Sequence, residues 1–269
     1  MESDPQTQFG ATLPVPSVQE LAKQKPAAVP SRYIRQDLRS PPESKPPCSS
    51  TQVPLINHGV SSSVLEKAKA EVQGFFNLPL EEKQKCGQIA GEIEGFGQLF
   101  VVSEEQKLDW ADMFFIKTLP QHIRSPHLFP KLPPSFSPHS DADGLTILLQ
   151  VNETEGLQIK KNGAWLPVVP IPNSLIVNIG DTLEIFTNGI YRSIEHRAVV
   201  SWDKERMSVA TFHAPKLDAE LGPAGGLVTA ETPPKYKRIS VPEFFRLFFS
   251  SKLDGKSHVD VFKIANNNV

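Results

Sequence analysis

The chain has little cysteine and little imbalance of charge. Only two of its 269 residues are cysteines, Cys48 and Cys86, and they form no C-x-x-C pair. So few thiols are typical of a reduced protein and argue against a secreted disulfide framework. The 28 basic and 30 acidic residues give a formal net charge of −2 without a long block of one sign, so no surface for nucleic acid is indicated. A small molecule is the expected partner.

Long apolar runs are also absent. No stretch approaches the roughly 18 apolar residues of a membrane span, and the first ten residues, MESDPQTQFG, hold no apolar signal core. We therefore expect a cytoplasmic protein without membrane attachment, and a monomer as the default. The hydrophobic content of 39% is enough for a full-sized core.

Proline is abundant and is concentrated in two parts of this sequence. Ten of the 25 prolines lie in the first 54 residues, where only SVQELAKQ at 17–24 has a modest helical pattern. Residues 1–52 are predicted to form a proline-rich leader that is partly disordered. Six further prolines between Pro120 and Pro138 exclude a helix there.

Residues 53–134 contain the patterns of two helices and two short strands. SSSVLEKAKAEVQGFF has apolar residues in steps of four and a capping-box match at Ser63 and Glu66, which predicts an amphipathic helix. Pro79 and the acidic residues after it predict a second, short helix. GFGQLFVV and DMFFIKTLP then favour strands.

Residues 135–235 are rich in strand patterns. Five or six short antiparallel strands are predicted, which suggests a sandwich or a barrel; their segments are LTILLQ, GLQIKK, AWLPVV, SLIVNIGD, RSIEHRAVV and MSVATFHAP. The pair Asn162-Gly163 predicts a two-residue hairpin turn. Asp181, after SLIVNIG, is interpreted as a helix N-cap.

Residues 236–269 are predicted to hold a closing helix and a tail. SVPEFFRLFFSSKL has a capping-box match at Ser240 and Glu243, followed by an apolar face. Its aromatic residues, Phe244, Phe245, Phe248 and Phe249, fit a substrate lid or a core stripe, and core is the preferred interpretation because aromatic stripes at helical spacing usually pack inward.

A candidate metal site stands where the second proline cluster ends. His139 and Asp141 are two residues apart, so in a strand they point to the same side. His196, in a later strand, is the candidate third ligand. Two histidines and one carboxylate form the facial triad of non-haem Fe(II) oxygenases, which leaves positions open for substrate and O₂.

A second pair follows the third candidate ligand. Arg206 and Ser208 lie ten and twelve residues after His196, again two apart on a predicted strand. A guanidinium binds a carboxylate through two charge-assisted hydrogen bonds, and a hydroxyl adds a third. The pair therefore fits the distal end of a cosubstrate with two acid groups.

These segments resemble a known family. HSDADGLTILLQ, NGIYRSIEHRA and RMSVATFHAP, with NHGV, FFNLPLEEK and EGFGQLFVVSEEQKLDWADMFF, are similar to the plant 2-oxoglutarate and Fe(II)-dependent dioxygenases, in the branch of senescence-related, norcoclaurine-synthase-like and alkaloid O-demethylase proteins. The resemblance runs from about residue 51 to the end. It implies a mainly β fold with flanking helices, a double-stranded β-helix or cupin-like jelly roll.

The resemblance also implies a function and its residues. Iron is expected on His139, Asp141 and His196, and 2-oxoglutarate on Arg206 and Ser208. The reaction would consume O₂ and 2-oxoglutarate, with ascorbate in support, and would hydroxylate or O-demethylate a small apolar plant metabolite. Residues 135–235 would form the Fe(II)/2-oxoglutarate core.

Two segments of the family pattern are missing. A strand and helix normally precede NHGV, and a long helix and a NYYPPCP-type strand normally separate FPKLP from SPHSD. We therefore expect an incomplete fold with slow turnover. The alternatives are a catalytically impaired remnant that acts as a binding or regulatory protein, and a metal-binding isomerase or lyase, which has no use for Arg206 and Ser208.

The remaining arginine and histidine residues near these motifs are interpreted as structural or surface residues and not as ligands. Arg192 and Arg197 are expected to form surface ion pairs. The other histidines lack a second ligand at strand spacing and are expected to be structural or exposed, with His213 the best placed to line a pocket; they are His58, His122, His127, His213 and His258.

Overall fold

The computed structural model describes most of the predicted core. The described residues are 12–34, 54–56, 58–89, 93–98, 101, 103–118, 128, 141–201, 203–250 and 256–264. The predicted ligand His139, together with His122 and His127, lies outside them. In the described residues, no helix is long and apolar enough to cross a membrane.

Part of the proline-rich leader is folded against the body of the protein. Helix α1 spans Val18–Lys23, and a 3₁₀ turn spans Ser31–Tyr33. The carboxylate of Asp112 accepts hydrogen bonds from the Ser17 hydroxyl and from the Val18 and Gln19 amides, at 2.7 to 2.9 Å. These contacts satisfy amides that the helix itself leaves unbonded. Residues 12–34 of the predicted leader are therefore folded, and the partial disorder expected of residues 1–52 stays a prediction.

The two helices predicted after residue 60 are present. Helix α2 spans Ser62–Phe76 and helix α3 spans Leu80–Gln84. The N-cap of α2 is Ser61, whose hydroxyl accepts from the Val64 amide, so the predicted capping box at Ser63 is wrong. The reason is local: three serines precede the apolar pattern, and the first of them takes the extended conformation that an N-cap needs.

Most strands of the core form two antiparallel sheets. The strands of the larger sheet are β1 (Pro54–Leu55), β4 (Leu145–Gln150), β7 (Leu175–Ile179) and β9 (Ser208–His213), and they lie in the order β1-β7-β4-β9. The strands of the smaller sheet are β5 (Leu157–Lys161), β6 (Ala164–Pro167) and β8 (His196–Ala198), and they lie in the order β6-β5-β8. In the described part of the chain, β9 is therefore an edge strand of the larger sheet.

Two short ribbons complete the strands. β2 (Gly95–Gly97) pairs with β3 (Met113–Phe115), and β10 (Glu220–Leu221) pairs with β11 (Ile239–Ser240). The β5–β6 hairpin turns at Asn162-Gly163, as predicted, with φ values of 51° and 82°. Both residues need positive φ in such a turn, which is why this pair favours it.

The register of β4 separates its two faces. Ile147 and Leu149 point to the side where they pack with Leu65 and Ala68 of α2 and with Leu175. Thr146, Leu148 and Gln150 alternate with them and therefore point to the opposite side; their partners across the sheet are Asn178, Ile176, Phe212, Ala210 and Ser208. Helix α2 thus covers the outer face, and the polar ends of β4 face inward.

Helix α4 is short and its start differs from the expected one. It spans Asp181–Phe186, and its N-cap is Gly180 rather than Asp181. The Asp181 amide donates to the Asp141 carbonyl at 2.6 Å, so Asp181 is already the first helical residue. A Cβ at position 180 would overlap Asp143, which explains why a glycine occupies the cap.

The closing helix belongs to the core, as predicted. Helix α5 spans Val241–Ser250 and α6 spans Ser257–Asp260. Phe244 is fully buried, and the rings of Phe244, Phe248 and Phe262 surround His258 at centroid distances of 4.7 to 5.4 Å. His258 is therefore a structural histidine. Glu243 does donate its amide to the Ser240 hydroxyl, while its carboxylate pairs with Arg246.

Arg197 is not the surface ion pair that was expected. Its guanidinium lies 4.2 Å from the ring centroid of Trp165, and its Nε donates to Gln158 at 2.8 Å. A planar guanidinium stacks well on an indole, so this arginine ties β8 to the β5–β6 hairpin. His213 has an exposed side chain.

Candidate metal and cosubstrate site

Two of the three predicted metal ligands are described, and the fold brings them together. Asp141 precedes β4, and His196 begins β8 of the other sheet. The His196 Nε2 lies 3.8 Å from the Asp141 Oδ1, and their side chains are 14% and 4% exposed. This separation is shorter than twice a metal–ligand distance of about 2.1 Å, so one ion can contact both atoms. No cluster of three potential ligands occurs among the described residues, which do not include His139.

The carboxylate of Asp141 is held through its second oxygen. Oδ2 accepts from the Thr146 hydroxyl and from the Asn178 amide group, both at 2.6 Å. These two bonds come from adjacent strands and fix the rotation of the carboxylate. Oδ1 is thereby directed at His196, as a ligand held by outer contacts should be.

The imidazole of His196 is oriented by its own chain. Its Nδ1 lies 3.2 Å from the carbonyl oxygen of Ile194. Since a carbonyl only accepts, this contact requires the proton on Nδ1 and leaves the lone pair on Nε2, the nitrogen that faces Asp141. That is the tautomer a metal ligand needs.

A second buried carboxylate lies beside the first. Burial, and then the charge of Asp141, raise the pKa of Asp143 to about 8. Its oxygens lie 3.1 and 3.3 Å from the Thr146 hydroxyl, and one accepts from the His213 amide at 3.1 Å. Sequence reasoning missed Thr146, Asn178 and Asp143; a polar residue inside an otherwise apolar strand was the available indication for the first two.

Arg206 is a cation without a carboxylate in the described part of the chain. Its NH2 donates to Gln150 Oε1 at 2.8 Å, its NH1 lies 3.4 Å from the Ser208 hydroxyl, and its Nε is buried without a hydrogen-bond partner. Burial lowers its pKa to about 10. A buried guanidinium is costly unless an anion compensates it, so this pocket is suited to a carboxylate.

Gly156 leaves the room that the arginine occupies. A Cβ at this position would lie 2.8 Å from Arg206 Cδ and 2.8 Å from the carbonyl oxygen of Val199. Gly156 precedes β5 and Val199 follows β8. The smaller sheet therefore packs against Arg206 at the end where β5 begins and β8 finishes, and it brings His196 close to Asp141 at the start of β8.

The metal pair and the arginine share one face of β4. Thr146 contacts Asp141 and Gln150 contacts Arg206, and residues four apart on a strand point the same way. The two polar ends are about 14 Å apart along the strand, at about 3.4 Å per residue. Apolar Leu148, with Ile176 and Ala210 across the sheet, lies between them. This arrangement fits an ion at one end, an anion at the other and an organic molecule between.

Comparison with known proteins identifies the class. A family model for the 2OG-Fe(II) oxygenase superfamily matches residues 110–215, and one for the N-terminal region of the non-haem dioxygenase in morphine synthesis matches residues 52–135. The chain belongs to the 2-oxoglutarate and Fe(II)-dependent oxygenase superfamily. It is an oxidoreductase whose cofactors are Fe(II) and 2-oxoglutarate, with O₂ as cosubstrate.

Two similar proteins from plants are named as O-demethylases. The chain is 42% identical to oxoglutarate-dependent flavonoid 7-O-demethylase 1 of Ocimum basilicum, over 96% of this chain and 93% of the relative. It is 38% identical to codeine O-demethylase of Papaver somniferum, over 98% and 100%. The solved structure of JOX2 in complex with 2OG, Fe and JA superposes with a TM-score of 0.83 at 27% identity, over 94% of this chain and 98% of that chain.

These comparisons confirm the predicted family and fold class. The sheets described above are consistent with an incomplete double-stranded β-helix. The two alignments run over 347 and 363 positions, and this chain has 269 residues, so both relatives have residues where this chain has none. The positions of the two gaps stay a prediction. Nothing in them supports the alternative of a binding or regulatory protein.

Proposed function

We propose that His139, Asp141 and His196 hold the Fe(II) and that Arg206 and Ser208 hold the distal carboxylate of 2-oxoglutarate. The distance of 3.8 Å between Asp141 Oδ1 and His196 Nε2 supports the first assignment. The guanidinium of Arg206, which has no carboxylate partner among the described residues and lies beside the buried Ser208, supports the second.

Iron held by His139, Asp141 and His196 would supply the activation of O₂ that is coupled to the oxidation of 2-oxoglutarate to succinate and CO₂. The contribution of the chain is orientation. Thr146 and Asn178 hold the Asp141 carboxylate in one orientation, and the Ile194 carbonyl keeps the His196 lone pair on the nitrogen that faces Asp141. The apolar residues between the two polar ends would keep water away from the reacting groups.

We further propose that the substrate is a small apolar plant metabolite that is hydroxylated or O-demethylated. Two relatives that match almost the whole chain are named as O-demethylases, one of a flavonoid and one of codeine. The division at residues 52, 134 and 235 stays a prediction. Cytoplasmic location, the monomeric state and support by ascorbate also stay predictions.

The approach of Asp141 and His196 is the observation that carries the proposal. Asp141→Ala removes the only charged ligand and should abolish most Fe(II) binding, measured by anaerobic titration. Asp218→Ala, at an exposed position, is the matched control and should bind like the parent. Equal affinity in Asp141→Ala and the parent would show that the metal binds elsewhere.

The cosubstrate assignment has its own test. Arg206→Lys keeps the charge but loses the planar fork, so 2-oxoglutarate binding should weaken by about 1–3 kcal/mol, while Fe(II) binding stays unchanged. Arg246→Lys, on the exposed face of α5, is the control. An unchanged 2-oxoglutarate affinity in Arg206→Lys would place the carboxylate site elsewhere.

A further inference from the structure

Helix α4 touches the chain next to both described metal ligands. At its first residue, the Asp181 amide donates to the Asp141 carbonyl at 2.6 Å. One turn later, Glu184 projects toward the segment that leads into β8. This helix therefore stands between the backbone of one proposed ligand and the approach to the other.

Glu184 is a buried carboxylate that accepts four hydrogen bonds. Its residue is 1% exposed. Oε2 accepts from the Ser193 amide at 2.7 Å, from the Ser193 hydroxyl at 2.9 Å and from the Lys256 ammonium, and Oε1 accepts from the Tyr236 hydroxyl at 2.7 Å. Burial by itself raises the pKa of Glu184, but the bonds from Lys256 and Tyr236 outweigh it and leave the pKa lowered.

Glu184 and Lys256 together hold the backbone of one residue, Ser193, at its amide and at its carbonyl. Glu184 holds the amide and hydroxyl of Ser193, and Lys256 donates to the carbonyl oxygen of the same residue at 3.0 Å. Ser193 is followed by Ile194, whose carbonyl orients the His196 ring. Fixing the two peptide groups that flank Ser193 therefore limits the rotation of the next carbonyl, that of Ile194, which orients the imidazole.

We infer that Glu184 is a positioning residue for the iron site, acting through Ser193 on His196, with Lys256 as its partner. This inference rests on the proposed assignment of Asp141 and His196 as iron ligands. Through α4, the spacing between the two ligands is tied to one rigid turn of helix. A buried ion pair is a poor device for stability alone, whereas a charged clamp with fixed geometry restricts a backbone segment.

Two substitutions, one at Glu184 and one at its partner Tyr236, distinguish a role in positioning the metal site from a role in stability alone. Glu184→Gln puts an amide, itself a donor, among four donors and leaves Lys256 without a counter-charge. Tyr236→Phe removes only the bond to Oε1 and leaves the contacts of Ser193 and Lys256 intact. Both changes should lower the melting temperature, but only Glu184→Gln should alter the metal site.

The measurement is the affinity for Mn(II), an air-stable substitute for Fe(II), well below the melting temperature of each variant. We expect Glu184→Gln to weaken Mn(II) binding on the order of tenfold, as changes behind metal ligands typically do, and to shift the ligand-field spectrum of bound Co(II). Tyr236→Phe should bind both ions like the parent. If Glu184→Gln binds like the parent, or both variants weaken binding equally, the inference is wrong.

A second variant covers the case in which Glu184→Gln does not fold. Lys256→Met removes the hold on the Ser193 carbonyl from a residue with a 23% exposed side chain, and should weaken Mn(II) binding several-fold; parent-like binding overturns the inference. A parent protein that fails to bind Mn(II) overturns the proposed site itself. If the parent binds Mn(II), Asp141→Ala does not and Glu184→Gln binds like the parent, then the proposed site stands and only the positioning role of Glu184 is overturned.

Discussion

Single residues decide where the chemistry can occur on β4. Thr146 and Gln150 are the polar residues of its inward face, and each holds one functional side chain: Thr146 holds Asp141, and Gln150 holds Arg206. The same face is apolar between them. The distance between the metal end and the cosubstrate end is therefore set by the spacing of Thr146 and Gln150 along the strand.

Gly156 offers the sharpest test at this scale. Gly156→Ala places a methyl group 2.8 Å from Arg206 Cδ and from the backbone oxygen of Val199, and the backbone cannot yield easily. We expect weaker 2-oxoglutarate binding with unchanged Mn(II) binding. Gly226→Ala, where a Cβ meets nothing within 4 Å, is the control. Equal 2-oxoglutarate affinities for the two variants would contradict the described packing around Arg206.

The predictability of individual site residues depended on local spacing. Arg206 and Ser208 were recognised from their spacing of two residues, and their side chains do lie together, although β9 itself begins only at Ser208. Asn178 and Glu184 were missed because their roles depend on strand register and on a contact across the fold. Neither the strand register nor the contact across the fold can be read from the residues next to Asn178 and Glu184 in the sequence.

Secondary-structure elements were predicted best where a local conformational demand is strong. The hairpin at Asn162-Gly163 needs positive φ, and the sequence supplies residues that tolerate it. The caps of α2 and α4 were each misplaced by one or two residues. In both cases several polar or small residues precede the helix, and tertiary contacts select among them.

The C-terminal helices give a prediction about pH. Burial among phenylalanine rings lowers the pKa of His258 from 6.5 to about 4, so the unfolded chain binds a proton that the folded protein resists. This group should leave the free energy of unfolding unaffected above pH 6.5 and reduce it as the pH falls from 6.5 toward 4.

His258→Leu should remove this contribution. Urea unfolding across that pH range should show a flatter dependence than in the parent, whereas His213→Gln, at an exposed position, should keep the slope of the parent. A slope in His258→Leu as steep as in the parent would show that His258 is not protected from protonation.

At the scale of the whole molecule, we expect the missing segments to leave the site less firmly held. In the described residues, β9 pairs only with β4 and ends the larger sheet, while it also begins with Ser208. An edge strand is less restrained than a central one, and a displacement of about 1 Å at a catalytic site can cost about a hundredfold in rate.

Restoring the second gap should therefore raise activity. We expect a chain with a family-type segment inserted between Pro134 and Ser137 to turn over 2-oxoglutarate faster and to melt at a higher temperature than the 269-residue chain. An insertion of the same length made of glycine and serine is the control. If the unmodified chain already matches full-length relatives in coupled turnover, the argument from the gaps is wrong.

The family and the β-rich fold were predictable because ligand motifs and strand patterns are local in sequence. The folding of residues 12–34 onto the body was not, because it depends on Asp112, almost a hundred positions away. A helix cap that comes from a distant residue produces no periodic pattern in the sequence by which it could be predicted.

Formation of succinate from 2-oxoglutarate by the purified chain is the most direct test of its activity. We predict succinate and CO₂ in equal amounts when Fe(II) and O₂ are present, none when Fe(II) is withheld, and none from Asp141→Ala under the same conditions. Succinate formation that is independent of Fe(II), or equal in the parent and Asp141→Ala, would contradict a site built on Asp141 and His196.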